Sequence, residues 1–296
     1  MPGLPQDRLA VRDLLEFAEP EQYRPVSVQR QPIAGTPGIQ WERVEIASGD
    51  GDLIPCFLLE PDEPTGSNVI ALHQHAGSFA LGKSEAAGLS GDRMLAYGPR
   101  LCERGARVLI PDLLGFEERQ RTWSPDPAAD ESLDALLRIS NGSSLQSKQT
   151  SDIATITTWM IESFGDNQGI GVIGHSLGGQ VALFNLAVDP RLTNGVVSCG
   201  LGTLASFEAH RIKHNPAWFV PGLAAAGDVQ LVAAAVHQQQ VLVSAGIDDP
   251  LFPLEGVHAV LAAFETGVCT AELFVGGHEL PPRVEGLAIR HLTVEC

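Results

Sequence analysis

Six residues in the middle of the chain, Gly174-His175-Ser176-Leu177-Gly178-Gly179, carry the spacing G-x-S-x-G, which presents a serine on a sharp turn between a strand and a helix. The flanks suit that reading. The apolar run 169–174 comes before the motif and a helical pattern over 180–188 follows it. The glycines have a physical reason. The turn forces the serine backbone into a strained conformation, and a side chain at 174 or 178 would collide with the neighbouring strand and helix. The serine oxygen then stands at the carboxyl edge of a sheet, beside a helix N-terminus whose dipole favours developing negative charge. The chemistry predicted is nucleophilic attack by Ser176 with a covalent intermediate.

A serine is a poor nucleophile at neutral pH and needs a base that is itself oriented by an acid. After a strand–turn–helix nucleophile, the expected chain order is serine, acid, histidine. The apolar run 240–245 leads into Gly246-Ile247-Asp248-Asp249-Pro250-Leu251-Phe252-Pro253, so the acid is Asp248 or Asp249. The base is His278, in the Gly-rich turn Gly276-Gly277-His278 after the last strand-like run, 271–275. His258 falls inside a predicted helix and His291 lies near the end of the chain. His175 adjoins the serine but is expected to point away from the cleft. An oxyanion needs two backbone N–H donors. One is expected from Leu177 and the other from His75, in His73-Gln74-His75-Ala76-Gly77-Ser78 after the run 68–73. No metal is expected. His73 and His75 lack an acidic or cysteine third ligand nearby, and His210 and His214 lack the glutamate of HExxH.

These residues need a frame to bring them together. Short continuous apolar runs at 68–73, 106–111, 169–174, 195–199, 240–245 and 271–275 alternate with helical patterns at 92–104, 151–164, 176–188, 254–264 and 282–292. That alternation predicts an α/β fold, a mostly parallel sheet with helices on both faces. A hairpin of runs 41–47 and 53–60 around Ser48-Gly49-Asp50-Gly51 brings the sheet to about eight strands. Residues 1–40, with a helix at 7–18, read as an N-terminal helical extension to one catalytic domain over 41–296. Two irregular stretches, 114–147 and 214–222, are expected to wall the binding crevice. His73, Phe116, Trp123, Trp218 and Phe219 are its candidate substrate-contacting residues.

Composition excludes several alternatives. The 296 residues hold 36 Asp and Glu against 19 Lys and Arg, a formal net charge of −17, which repels a nucleic-acid partner. The five cysteines are odd in number and form no CxxC pair, so free thiols in a reducing compartment are expected. No stretch approaches the ~20 apolar residues of a membrane span, and the acidic, proline-bearing start does not resemble a signal peptide. A cytoplasmic protein with no membrane partner is the economical reading.

Several segments together resemble a known family. His73-Gln74-His75-Ala76-Gly77, Leu81-Gly82-Lys83-Ser84-Glu85 and Pro111-Asp112-Leu113-Leu114-Gly115-Phe116-Glu117-Glu118-Arg119 look like successive motifs of the α/β-hydrolases around dienelactone hydrolase and the acetyl-xylan-esterase-like proteins. The elbow at 174–179, Phe219-Val220-Pro221-Gly222, the segment 246–253 and Gly277-His278 continue the series, so the resemblance spans residues 40–292. It implies an α/β-hydrolase fold and selects Asp249 through the pattern G-x-x-D-x-x-x-P. It also implies hydrolysis of a small-molecule carboxylic ester or lactone through an acyl-enzyme, without a cofactor, and a homodimer. Dienelactone hydrolase itself has cysteine where this chain has Ser176, so its lactone substrate does not transfer. Glu118 and Arg119 are expected to pair and hold their loop, with contact to substrate as the alternative. The same triad would serve a macrolide or polyketide lactone esterase, or an acyltransferase. Haloalkane dehalogenases and epoxide hydrolases need a carboxylate at the elbow. A non-catalytic binding protein on the same fold would normally have lost one of the three side chains.

Overall fold

Every residue of β4 and β6 is buried, and all but Asn68 and His175 are apolar or glycine, so both faces of these strands need cover, which the chain supplies. The computed structural model describes residues 5–166 and 169–293. Its strands are β1 (Ser27–Thr36), β2 (Ile39–Ala47), β3 (Leu53–Pro61), β4 (Asn68–Leu72), β5 (Arg107–Pro111), β6 (Ile170–His175), β7 (Leu192–Ser198), β8 (Gln240–Gly246) and β9 (Cys269–Phe274). They form one sheet in the order β1-β2-β3-β5-β4-β6-β7-β8-β9. The pairs from β5 to β9 are parallel, whereas β1, β2 and β3 pair antiparallel and β3 joins β5 antiparallel.

The helices are α1 (Gln6–Leu14), α2 (Lys83–Ala86), α3 (Tyr97–Cys102), α4 (Pro127–Ser140), α5 (Leu145–Phe164) and α6 (Leu177–Val188), then α7 (Leu204–His210), α8 (Leu223–Ala226), α9 (Asp228–Ala234), α10 (Leu254–Leu261) and α11 (Pro282–Leu292). The core divides in two across the sheet. Side chains of α1, α5, α6, α9 and α10 fill one side, and those of α3 and α11 the other. No helix among the described residues is long and apolar enough to cross a membrane.

After β4 the chain crosses to β5 on one side, then returns to β6 on the other. This reversal opens a crevice beyond the carboxyl ends of β4 and β6, the place where open α/β sheets bind ligands. The loop at 73–78 and the serine turn at 174–179 both leave from those two strand ends.

Four expectations are corrected. Residues 1–40 are more than a helical extension: they include β1 and the start of β2, and with β1 the sheet expected at about eight strands has nine among the described residues. β1 escapes a pattern search because it is an edge strand, largely exposed and carrying Pro32. The helix expected over 92–104 is a 3-10 turn at Arg93–Leu95 followed by the shorter α3. The irregular stretch 114–147 contains α4 and the start of α5. Asp126 caps α4 by accepting from the Ala128 amide, and Pro127 opens its first turn. Within 214–222, residues Pro216–Trp218 form a 3-10 turn.

Helix α1 is tied to the serine-bearing half. The Arg8 Nε donates to the Ala187 carbonyl at 2.9 Å, and the Arg12 Nε to the Val188 carbonyl at 2.9 Å. Two buried guanidinium groups thus satisfy the last carbonyls of α6, where positive charge also suits the helix dipole.

Candidate active site

Ser176 follows β6 with φ 56° and ψ −117°, a left-handed conformation that a residue with a Cβ adopts at a cost of about 1–3 kcal/mol. The surroundings enforce it. A Cβ on Gly174 would lie 2.1 Å from the Gly178 carbonyl carbon, and one on Gly178 would lie 2.4 Å from the Leu72 oxygen. Only glycine lets α6 start this close to β4 and β6. The Ser176 amide donates to the Ser198 carbonyl of β7 at 2.8 Å, and the Ser176 carbonyl accepts from Gln180 at 2.9 Å. The strained backbone is therefore held from both sides, and Ser176 remains partly exposed to the cleft.

His278 reaches the same cleft from the loop after β9. Its Nδ1 lies 2.8 Å from Asp249 Oδ2. A carboxylate only accepts, so Nδ1 carries the proton and Nε2 has the free lone pair. That Nε2 is buried and has no hydrogen-bond partner among the described residues, Ser176 included. Such contacts are often open in unliganded enzymes and tighten with substrate. Asp249 is buried, and its Oδ1 accepts from the Leu251 amide at 2.9 Å. Asp248 is exposed. Of the two acids left open by the local sequence, Asp249 is the one that meets the histidine.

The imidazole of His278 lies between two rings, Phe252 stacked at 5.6 Å and His175 tilted at 4.8 Å. His175 is buried beneath His278, bonded through Nδ1 to the Ser198 hydroxyl at 3.0 Å. Burial, with the His278 charge second, pushes its pKa down to about 3, so it stays neutral.

The loop after β4 is pinned from below. The His73 Nδ1 contacts the Gln74 carbonyl at 2.7 Å, and its Nε2 accepts from the Leu113 amide at 3.0 Å. Burial lowers the His73 pKa to about 4, which leaves Nε2 free to accept. His73 is a strut of this loop, not the substrate contact expected of it. The next segment is fixed by charge. The Lys83 ammonium, fully buried, lies 2.7 Å from Asp112, 2.8 Å from Glu117 and 2.7 Å from Glu118. Burial alone would lower its pKa, but the three carboxylates outweigh this and hold it above the ordinary lysine range. Glu117 also accepts from the amides of Gly82 and Ser84, each at 3.0 Å. Glu118 and Arg119 do not pair with each other as expected: Glu118 meets Arg43 and Lys83, while Arg119 meets Asp152 at 2.8 Å. Lys83→Met leaves Asp112 buried without its cation, so urea denaturation at pH 7 is expected to show a loss of about 3–5 kcal/mol. A loss under 1 kcal/mol would show that the cluster contributes little.

The cleft holding Ser176 and His278 encloses about 460 Å³. His75, Glu131, Ser132, Lys213 and Asn215 give it a polar rim, with Phe79 and Leu251 as apolar wall. A larger groove of about 1020 Å³ runs past Ile39, Pro61, Arg104 and Arg290 and contains neither Ser176, Asp249 nor His278. Size alone misplaces the chemistry. The four aromatics expected in the crevice are elsewhere. Phe116 and Trp218 are fully buried in the core. Trp123 is 52% exposed beneath the Arg121 guanidinium, and Phe219 lines a separate apolar hollow with Ile139 and Leu204. Glu131 and Asn215 lie within the two stretches expected to wall the crevice, but neither they nor Lys213 carried a signal as individual residues. Each reaches the cleft only through the placement of α4 and the 213–216 loop. Cys56, Cys102 and Cys199 are buried free thiols, Cys269 is partly buried, and Cys296 lies outside the described residues.

Comparison with known proteins agrees with this architecture. YtaP of Bacillus subtilis (strain 168), which carries a provisional hydrolase name, is 26% identical over 290 residues, covering 92% of this chain and 91% of its own. Acetyl xylan esterase 1 from Thermoanaerobacterium sp. JW/SL YS485 superposes with a TM-score of 0.67 at 15% identity, over 99% of this chain and 94% of that one. The acetyl xylan esterase from Paenibacillus sp. R4 gives 0.68 at 16%, over 98% and 96%. The family model described as alpha/beta hydrolase fold matches residues 87–246, a span that runs from before β5 through the serine turn to the end of β8. With the sheet order, the switch-point crevice and the elbow all in agreement, the chain belongs to the α/β-hydrolase fold family.

Proposed function

We propose that the protein is a serine esterase that cleaves a small carboxylic ester or lactone through an acyl-enzyme. The observation that carries this reading is the Asp249–His278 hydrogen bond of 2.8 Å, reaching the same cleft as a strained, partly exposed Ser176. Asp249 fixes His278 with Nε2 as its basic nitrogen. As Nε2 takes the Ser176 proton, the serine oxygen adds to the ester carbonyl, and the carbonyl electrons move onto oxygen. The Leu177 and His75 amides receive that oxyanion. Collapse expels the alcohol, which takes the proton from His278. Water, deprotonated by the same nitrogen, then releases the acid and restores Ser176. The Asp249 carboxylate and the neighbouring rings stabilise the transient imidazolium without accepting its proton. The names of the superposable acetyl xylan esterases favour a short acyl group, and the polar rim suits an alcohol portion that can hydrogen-bond.

The test is hydrolysis of p-nitrophenyl esters of increasing acyl length, beside labelling with a fluorophosphonate probe. Turnover is expected to be fastest for the shortest acyl groups, with one probe bound per chain at Ser176. Failure of both turnover and labelling would remove the esterase reading. Labelling without turnover would keep the nucleophile and move the search to lactones or larger esters, and added alcohols would reveal acyl transfer.

A further inference from the structure

Glu131 sits on α4, 56 residues from the loop that follows β4, yet its carboxylate meets that loop. The His75 Nε2 lies 3.1 Å from Glu131 Oε1 and 3.2 Å from Oε2, with both side chains mostly buried. On the other side of the ring, His75 Nδ1 accepts from the Gly77 amide at 3.0 Å. These two contacts select one tautomer. A carboxylate only accepts, so the proton belongs on Nε2, and Nδ1 is left with the lone pair that Gly77 needs. The opposite tautomer would set two N–H groups face to face at Gly77.

What the Gly77 bond holds is a turn that would not hold itself. Ala76 has φ 47° and Gly77 φ 67°, and left-handed backbone at a residue with a Cβ persists only where its surroundings over-determine it. The His75 ring is fixed from its other edges by Phe79 at 5.1 Å and Phe116 at 5.0 Å. The Ser78 amide closes the turn on the His75 carbonyl at 3.1 Å. The chain of constraint therefore runs from α4 through the imidazole to the peptide groups that face the cleft beside Ser176.

We propose that Glu131 is a positioning residue for the oxyanion site: by fixing the His75 tautomer it anchors the Gly77 amide and so aims the His75 peptide N–H at the reacting carbonyl oxygen. This rests on the esterase reading, and its test separates the two. Steady-state kinetics on p-nitrophenyl acetate are compared for Glu131→Ala and Glu131→Gln. In the alanine variant kcat and kcat/KM are expected to fall together by about 10- to 100-fold with KM within twofold, the signature of an interaction made in the transition state. Glutamine, whose amide oxygen still accepts from Nε2–H, is expected to recover most of that loss. A raised KM at unchanged kcat would make Glu131 a substrate contact and overturn the proposal, as would unchanged kinetics. Nitrogen-15 NMR of the His75 ring gives an answer independent of turnover. The proton is expected on Nε2 in the native chain and distributed over both nitrogens in Glu131→Ala. A native Nδ1–H tautomer would overturn the proposal even if no ester is hydrolysed. Should Ser176→Ala be inactive while Glu131→Ala matches the native enzyme, only this inference falls and the esterase reading stands.

Discussion

Ser176→Ala is expected to lower kcat for a p-nitrophenyl ester by about 10⁶-fold, leaving the roughly 10³-fold advantage over water that binding and oxyanion contacts supply by themselves. On the proposed mechanism, the size follows from the loss of the atom that forms the acyl-enzyme. His278 and Asp249 would remain in place, bonded to each other but with no hydroxyl to deprotonate. The variant should fold normally, because alanine keeps the Cβ and the left-handed backbone that Gly174 and Gly178 make room for. Thermal denaturation would confirm this, and intact-mass analysis after fluorophosphonate treatment should show labelling lost with activity. Retention of activity within tenfold of the native enzyme would place the nucleophile elsewhere.

Asp249→Asn is expected to cost about 10⁴-fold in kcat with little change in KM. An asparagine at 249 offers its NH₂ to His278 Nδ1, which moves the imidazole proton to Nε2. The nitrogen that should receive the serine proton would then already carry one. The neighbouring Asp248→Asn is the matched control, since Asp248 is exposed and its backbone amide donates to the Gly276 carbonyl at 3.0 Å. It should stay within twofold of the native rate. A large loss at 248 with none at 249 would reverse the assignment and with it the orientation proposed for the imidazole.

Which parts of this were legible in the chain follows from how local each constraint is. The elbow could be read because its geometry is enforced by contacts among neighbours, Gly174 against Gly178, so the requirement is written within five residues. His278 and Asp249 could be read because each follows a strand end in a fixed chain order. β1 could not, because an edge strand such as Ser27–Thr36 buries little and shows no alternation. α4 was hidden differently. Its Leu133, Leu136 and Leu137 have helical spacing but face outward, so the pattern lies beside Pro- and Asp-rich sequence that reads as loop. The aromatic walls failed because aromatic type signals large buried area wherever it occurs, and Phe116 and Trp218 spend theirs in the core. Glu131 had no signal, since its meaning depends on a ring supplied by a distant loop.

The arginine contacts of α1 also bear on how the molecule is made. Arg8 grips a carbonyl 179 positions later and another 227 positions later. On the ribosome α1 emerges long before its anchors exist, and a helix of nine residues is marginal in water by itself. Its arginines can reach these carbonyls only after the serine helix and α9 have left the exit tunnel. Synthesis thus separates the formation of the catalytic strand–turn–helix from the locking of its far end. α1 is made before the elements it closes on and joined to them across most of the described chain, a sequence-distant closure of the kind that bears on folding rate more than on stability.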